Sequence, residues 1–317
     1  MARPVLVTGA AGFAGGHLVD LLRQDGPVEG WYRPGEPPRE ASVALDGTSW
    51  RAVDLRDAAA VDAAVADLRP AAIYHLAGAA NQGAAWAQTD ITFDLNVRVT
   101  HVLLRAIGRH VPEARVLVTT SAAIYAPSDE PLDEDARIGP ATPYGVSKLA
   151  QEMLARAAAR DEGLDVFVVR PFNHIGPRQD ASFFAPAFAR QIARIEAGLD
   201  DGPMRVGNLS PRRDLTDVRD TVRAYRLLMA HARRGETYNV CRGEAIAIGD
   251  LLDMLRRAAT RPVDVDVDPA KLRPVDVPVL VGDHARLTGR TGWQPEIPIA
   301  QTLAEILDEQ RGVVRHE

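Results

Sequence analysis

The feature that most constrains this chain is an apolar run, Pro4–Thr8 (PVLVT), that breaks directly into Gly9-Ala10-Ala11-Gly12-Phe13-Ala14-Gly15. A short run rich in β-branched residues reads as a strand buried on both faces. The three glycines behind it, spaced G-x-x-G-x-x-G, let the backbone turn at once into a helix and let another group approach it closely. Amides at that helix start present positive charge, which suits a pyrophosphate. The same spacing also serves tight strand–helix packing alone, so its meaning depends on the rest of the chain.

Downstream, strands and helices alternate. Strands are predicted at Pro4–Thr8, Val28–Tyr32, Ala72–Leu76, Arg115–Ser121 and Asp165–Arg170, with helices at Phe13–Gln24, Asp57–Leu68, Phe93–Arg109 and Pro143–Asp161. Leu95, Val99, Val102, Leu103 and Ala106 make one apolar stripe on the third helix. Thr142 can cap the fourth, and Pro143 suits its first turn. Strands alternating with helices of this length predict an α/β fold: a Rossmann-type, doubly wound parallel sheet. Residues 1–170 are expected to form the NAD(P)-binding domain. Residues 171–317 form a smaller C-terminal α/β lobe that binds substrate, with segments returning to the first domain. Its helices are expected at Phe183–Glu196, Asp217–Ala232, Ile248–Ala259 and Ala300–Gln310, and a strand at Thr237–Val240.

Length and charge agree. A chain of 317 residues suits one large or two joined domains, and 46% apolar with 25% charged residues is globular composition. The net charge of −6 is spread evenly, with no basic block for nucleic acid. Cys241 is the single cysteine, and no apolar run is long enough to span a bilayer. A cytoplasmic protein that binds neither nucleic acid nor membrane is expected, and no His/Cys spacing points to a metal.

The 37 basic residues are 35 Arg and two Lys, Lys148 and Lys271. In such a chain a lysine is conspicuous, because an ammonium shifts its pKa readily and a guanidinium does not. Tyr144 and Lys148 stand four apart, on one helix face. A nearby ammonium favours the phenolate, so the pair can pass a proton as a hydroxyl and a ketone interconvert. Ser121, ending a strand, can hold the substrate oxygen.

The tip of the second strand meets the adenosine ribose in such folds. Arg33 occupies it here and favours NADP(H) over NAD(H), through the 2′-phosphate. Asp54-Leu55 lies where a carboxylate would meet the adenine amino edge. Asp57 reads simply as a helix start.

The residues resemble the extended short-chain dehydrogenase/reductases that act on nucleotide sugars. The likeness rests on Gly9–Gly15, His75-Leu76-Ala77, Asn96, Ser121, Tyr144–Lys148 and Arg170–Pro177. The second half is most similar to GDP-4-keto-6-deoxy-mannose reductases and their GDP-mannose 4,6-dehydratase relatives, through Val206–Leu209, Arg213–Asp220, Tyr238–Cys241 and Leu272–Pro278. The resemblance implies Ser121, Tyr144 and Lys148 as the catalytic set. It implies a cofactor held by Gly9, Gly12, Phe13, Ala14, Gly15, Arg33, Asp54, Leu55, Leu76, Ala77, Asn96, Tyr144, Lys148 and Pro171. Substrate would meet Ser121, Asn173, Val206 and Asn208. Arg213 and Arg273 would clamp the pyrophosphate, and Asp276 would reach a ribose hydroxyl or brace Arg273. A homodimer through the helices at Phe93–Arg109 and Pro143–Asp161 is also implied. Arg98-Val99-Thr100 and Ala126 depart from the family's usual pattern.

Three reactions share this scaffold. Dehydration needs an acid beside the catalytic hydroxyl residue, and Ser121-Ala122-Ala123 offers alanines. A 4-epimerase needs only the trio and retains NAD. A reductase draws hydride from NADPH and protonates the C4 oxygen through Tyr144. The expected reaction is reduction of GDP-4-keto-6-deoxy-D-mannose to GDP-D-rhamnose. A 4-epimerase is the alternative, ahead of a dehydratase or a non-catalytic cofactor sensor. The sensor reading conflicts with the retained Tyr/Lys pair.

Overall fold

In a computed structural model, which describes residues 3–38, 46–80, 83–272 and 277–317, strand β1 (Val5–Thr8) leads through the glycine turn into helix α1 (Phe13–Leu22). Next come β2 (Val28–Tyr32), β3 (Thr48–Ala52), α2 (Ala58–Leu68) and β4 (Ala72–His75). Two short helices, α3 (Ala84–Ala87) and α4 (Thr89–Phe93), pass through a π-helical turn at Asp94–Arg98 into α5 (Val99–His110). β5 (Arg115–Thr119), α6 (Pro143–Asp161) and β6 (Val166–Pro171) come after it. The second half carries β7 (Asn173–Ile175), α7 (Phe184–Glu196), β8 (Met204–Val206), β9 (Arg212–Asp217), α8 (Val218–His231) and β10 (Thr237–Val240). It ends with β11 (Ala245–Ala247), α9 (Ile248–Arg257), β12 (Val265–Val267), β13 (Val279–Leu280), α10 (Ala285–Thr291) and α11 (Ile299–Val314).

Seven strands form one sheet in the order β10-β6-β5-β4-β1-β2-β3, every neighbour parallel. The chain runs outward from β1 in one direction through β2 and β3, then in the other from β4. The carboxyl ends of β1 and β4 therefore splay apart, which is where open α/β sheets bind ligands. Both faces of the sheet are buried. Leu6, Ile73, Val116 and Val118 face the side covered by α2, α5 and α6. Val7, Tyr74, Leu117 and Phe167 face α1, α8 and α10 on the other. Alternate residues point to opposite faces, so a strand buried on both sides must be apolar throughout.

The second half serves both bodies. β10 is the sheet's outermost strand beside β6, and α8 packs against α1. The remainder builds a separate core from Phe188, Ile192, Leu215, Leu251, Leu303 and Ile306, with β9 pairing β7, β11 and β13. Asp214 joins the parts: its carboxylate accepts from the amides of Arg242 at 2.7 Å, Gly243 at 2.8 Å and Gly282 at 3.2 Å.

Three features differ from the sequence-based expectation. β3 is not foreshadowed, because Thr48-Ser49-Trp50-Arg51-Ala52 is an edge strand of mixed polarity. The helix expected at Phe93–Arg109 begins instead as α4 and takes a π-turn at Asp94–Arg98 before α5. The strand expected at Arg115–Ser121 ends at Thr119, freeing Ser121 to cap a short 3₁₀ turn at Ala122–Ile124.

Candidate active site

Gly9 and Gly15 make the turn after β1 possible. Gly9 sits at φ +69°, and a Cβ there would lie 2.8 Å from the Ala77 backbone. A Cβ on Gly15 would overlap the Gly9 carbonyl oxygen. The residue capping α1 is Gly12, whose lack of a side chain leaves the first helix amides uncapped by one. These amides open onto a cavity of about 660 Å³ at the carboxyl edge of the sheet. A cradle of glycine backbone at a positive helix end fits the pyrophosphate of a dinucleotide.

Gly9, Gly12, Phe13, Ala14, Gly15, Arg33, Asp54, Leu55, Leu76, Ala77, Pro171 and Asn173 all line this one cavity, together with Ser121, Tyr144 and Lys148. Fold topology gathers them from the ends of six strands and from the first turns of α1 and α6. At the rim beyond β2, Arg33 is exposed and pairs with Glu36 at 3.0 Å. Asp54 is taken up by Arg56, accepting from its amide and Nε at 3.0 Å and from Nη2 at 2.8 Å. Those bonds hold its carboxyl down to about 2. Asp54 thus anchors a second arginine at the rim.

Ser121 lies just beyond β5, and its Oγ accepts from the Ala123 amide at 3.1 Å. Tyr144 begins α6, whose start is fixed by Thr142 accepting from the Gly145 amide at 3.1 Å. Burial pushes the Tyr144 phenol up to about 12, and the neighbouring Ser121 side chain works against that rise. Lys148 lies one turn on, with Nζ 6.0 Å from the Tyr144 ring centre. Only 4% of it is exposed, and burial lowers it to about 7. Nζ donates to Gln151 Oε1 at 2.9 Å and to the Thr119 carbonyl at 3.3 Å. The Tyr/Lys spacing alone predicts an ammonium pulling the phenol down. In the folded protein burial of the ring outweighs that influence, and Ser121 is the group opposing it.

Other expected residues lie elsewhere. Asn96 is fully buried in the π-turn and donates to Ser147 Oγ while accepting from the Ala79 amide, both at 2.9 Å. It shapes the cavity floor from behind. Val206 is buried in the second core, and Asn208 is exposed, accepting from the Ser210 amide at 3.1 Å. Arg213 donates to the Val277 carbonyl at 2.7 Å. Arg273 and Asp276 fall outside the described residues. Among the described residues no group of three His, Cys, Asp or Glu could hold a metal, and no helix is long and apolar enough to cross a membrane.

Further side chains line or back the site. Tyr225 from α8 lines the cavity, its phenol raised by burial. Phe183 and Phe184 also line it. His174 stacks on Phe13 with ring centres 5.8 Å apart. His75 is buried between the Thr8 and Thr100 hydroxyls at 2.8 and 2.9 Å, and burial lowers it to about 3.

Known proteins share this fold. GDP-6-deoxy-D-mannose reductase of Pseudomonas aeruginosa is 34% identical over the full length of both chains. The structure of RMD from the same organism, complexed with NADPH, superposes with a TM-score of 0.84 at 33% identity, covering 98% of this chain and all of that one. UDP-glucose 4-epimerase of Thermus thermophilus, complexed with NAD, gives 0.87 at 27% identity, covering 98% of this chain and 99% of that one. The sequence model of GDP-mannose 4,6-dehydratase matches residues 6–306. An NAD(P)-type cradle, a Ser/Tyr/Lys cavity and a match along nearly the whole sequence lead to one conclusion: the chain belongs to the GDP-mannose 4,6-dehydratase family of extended short-chain dehydrogenase/reductases.

Proposed function

We propose that this protein reduces the C4 ketone of a nucleotide-linked 4-keto-6-deoxy-hexose, converting GDP-4-keto-6-deoxy-D-mannose to GDP-D-rhamnose. The observation that carries this reading is the Tyr144 phenol, held protonated by burial and set with Ser121 in one cavity. A ketone becoming an alcohol needs one hydride and one proton. The nicotinamide cofactor supplies the hydride when bound. Tyr144 is the proton donor, and Ser121 holds the carbonyl oxygen in line with it. Lys148 restores charge balance beside the phenolate as the proton leaves. Ala122 and Ala123 come directly after Ser121, so the positions that a dehydratase fills with an acid hold only methyl groups here. The 34% identity to a GDP-6-deoxy-D-mannose reductase supports the same reaction.

Arg33 and Arg56 at the rim favour NADPH, since guanidinium pairs match the 2′-phosphate. Asn173, which lines the cavity, and Arg213, Asn208, Arg273 and Asp276 are assigned to the nucleotide sugar, whereas Val206 serves the second core. A homodimer is assigned through α6, where Val146 and Met153, seven residues apart on one helical stripe, are 43% and 64% exposed. Trp86 on α3 and Ile91 on α4, helices packed against α6, are also exposed.

A 4-epimerase remains the second reading, because the Thermus UDP-glucose 4-epimerase has the same fold and that reaction needs only the Ser/Tyr/Lys trio. One incubation separates the two. GDP-4-keto-6-deoxy-D-mannose with NADPH should consume NADPH and yield GDP-D-rhamnose. Inversion at C4 of an intact nucleotide sugar without NADPH consumption would select the epimerase.

A further inference from the structure

Behind the cavity the Thr100 hydroxyl fixes the direction of a fully buried set of hydrogen bonds. Its proton goes to the Asn96 carbonyl at 2.7 Å, so its oxygen only accepts, from His75 Nε2 and from Gln151 Nε2, each at 2.9 Å. With its proton on Nε2, neutral His75 accepts at Nδ1 from the Thr8 hydroxyl at 2.8 Å. The Thr8 oxygen accepts in turn from the Ala77 amide at 3.3 Å. Thr100 and Gln151 are completely buried, so neither has water as an alternative partner. This order leaves the Gln151 amide one orientation. Its nitrogen is committed to Thr100, and its oxygen therefore faces Lys148 Nζ at 2.9 Å. A flipped amide would set an N–H against the ammonium and an oxygen against the oxygen of Thr100.

We propose that Gln151 is a positioning residue for Lys148: with the Thr119 carbonyl it takes two of the three ammonium hydrogens, so that the third is aimed into the cavity. This rests on the reading of Lys148 as part of the proton-handling set. Glutamine suits the task because it is an acceptor without charge. It favours the ammonium through one dipole and leaves Lys148 free to lose its proton near neutrality. The titratable groups facing Nζ are Tyr144 on its own helix and His75 on β4. Asp94 and Arg98, on the neighbouring π-turn, are paired with each other at 3.1 Å.

The composition makes a direct test possible. Only two lysines are present, so protein grown on ¹³C-lysine shows two ε-carbon signals by NMR, and Lys271→Arg identifies the other as Lys148. Its titration midpoint is expected near 7. Gln151→Met removes the acceptor at similar volume and should lower the midpoint by about one pH unit, whereas Gln151→Glu should raise it by about as much. A role in packing alone moves neither. Thr100→Val should shift it as Gln151→Met does, and the double variant no further. In turnover, Gln151→Met should lower kcat about tenfold with KM for the nucleotide sugar nearly unchanged. An unmoved midpoint in folded Gln151→Met overturns the proposal. If that variant does not fold, an unmoved midpoint in Gln151→Glu does so. The titration needs no substrate. An unaltered protein that fails to reduce the keto-sugar would therefore sink the functional reading and leave the positioning result standing.

Discussion

Lys148 Nζ stands 6.0 Å from the Tyr144 ring centre, and in the same cavity Ser121 Oγ is fixed by the Ala123 amide at 3.1 Å. Donor and oxygen-holder are thereby set in one cavity before any ketone arrives, which is the preorganisation that general-acid catalysis needs. Tyr144→Phe is expected to lower kcat by about 10²–10⁴-fold. Ser121→Ala should cost on the order of 10²-fold. Both variants should bind NADPH with nearly unchanged Kd by fluorescence titration. Full turnover by Tyr144→Phe would remove the phenol from the mechanism.

Lys148 gives the pH dependence a sign. Burial lowers it in the folded protein from an ordinary 10.5 to about 7. The ammonium should be lost as pH rises through that value, so kcat/KM should fall above about pH 7. Lys148→Arg, always charged, should be slower but lack this limb. Stability has the opposite sign and rises with pH. Between about 7 and 10.5 the unfolded chain binds the extra proton, so Lys148 opposes folding most below that window and least above it. Relative to the parent, Lys148→Met should therefore be most favoured below pH 7 and lose that advantage towards 10.5, read as the difference in Tm between the two proteins.

Cofactor choice is expected to turn on Arg33, which Glu36 engages at 3.0 Å on an exposed rim. Arg33→Ala should raise KM for NADPH by about 10–100-fold, the worth of a charge-assisted phosphate contact, and leave NADH little changed. Glu36→Gln should release the guanidinium and lower KM for NADPH. Equal losses with both cofactors would place Arg33 outside phosphate recognition.

The parts of the fold legible in the sequence obey local rules. Helix α6 spans Pro143–Asp161 end to end as expected, because Thr142 and Pro143 supply a start signal in the sequence itself. Topology then brings the glycine turn, Ser121, Tyr144 and Lys148 to one cavity, as the alternation of strands and helices implies. The π-turn at Asp94–Arg98 is invisible in the sequence because the stripe from Leu95 to Ala106 fits an α-helix almost as well. Gln151 escapes notice for a different reason. A polar residue on a helix is ordinarily solvated, and its burial depends on Thr100 and His75, both distant in sequence. A faint signal exists: Thr100 interrupts the apolar stripe directly beside Val99.

The stripe on α6 has a consequence for assembly. Val146 and Met153 are exposed on a helix that the fold otherwise buries well. Met153→Glu should convert a dimer into a monomer by size-exclusion chromatography with light scattering. Turnover per chain should be preserved, because Met153 lies outside the cavity lining. A parent protein already monomeric at micromolar concentration would dispose of the interface.

Glu152, the residue after Gln151, faces the opposite demand. Its carboxylate holds Arg170 bidentately, at 2.6 and 2.9 Å, with both side chains 2% exposed. The same guanidinium donates to the Tyr125 hydroxyl at 2.8 Å and the Glu134 carbonyl at 2.9 Å. It therefore ties α6 to β6 and to the segment beyond the 3₁₀ turn that carries Ser121. Two charges removed from water are tolerable only while each satisfies the other. Glu152→Gln leaves a buried guanidinium short of its counter-charge and should destabilise the fold by about 3–5 kcal/mol in urea unfolding. Replacing both partners by Glu152→Met with Arg170→Met should recover much of that loss, since the uncompensated charge is gone. The double variant should still bind NADPH, because neither side chain lines the cavity. Single and double variants of equal stability would mean that the pair is spectator to the fold rather than the clasp between the helix of Tyr144 and the sheet beneath it.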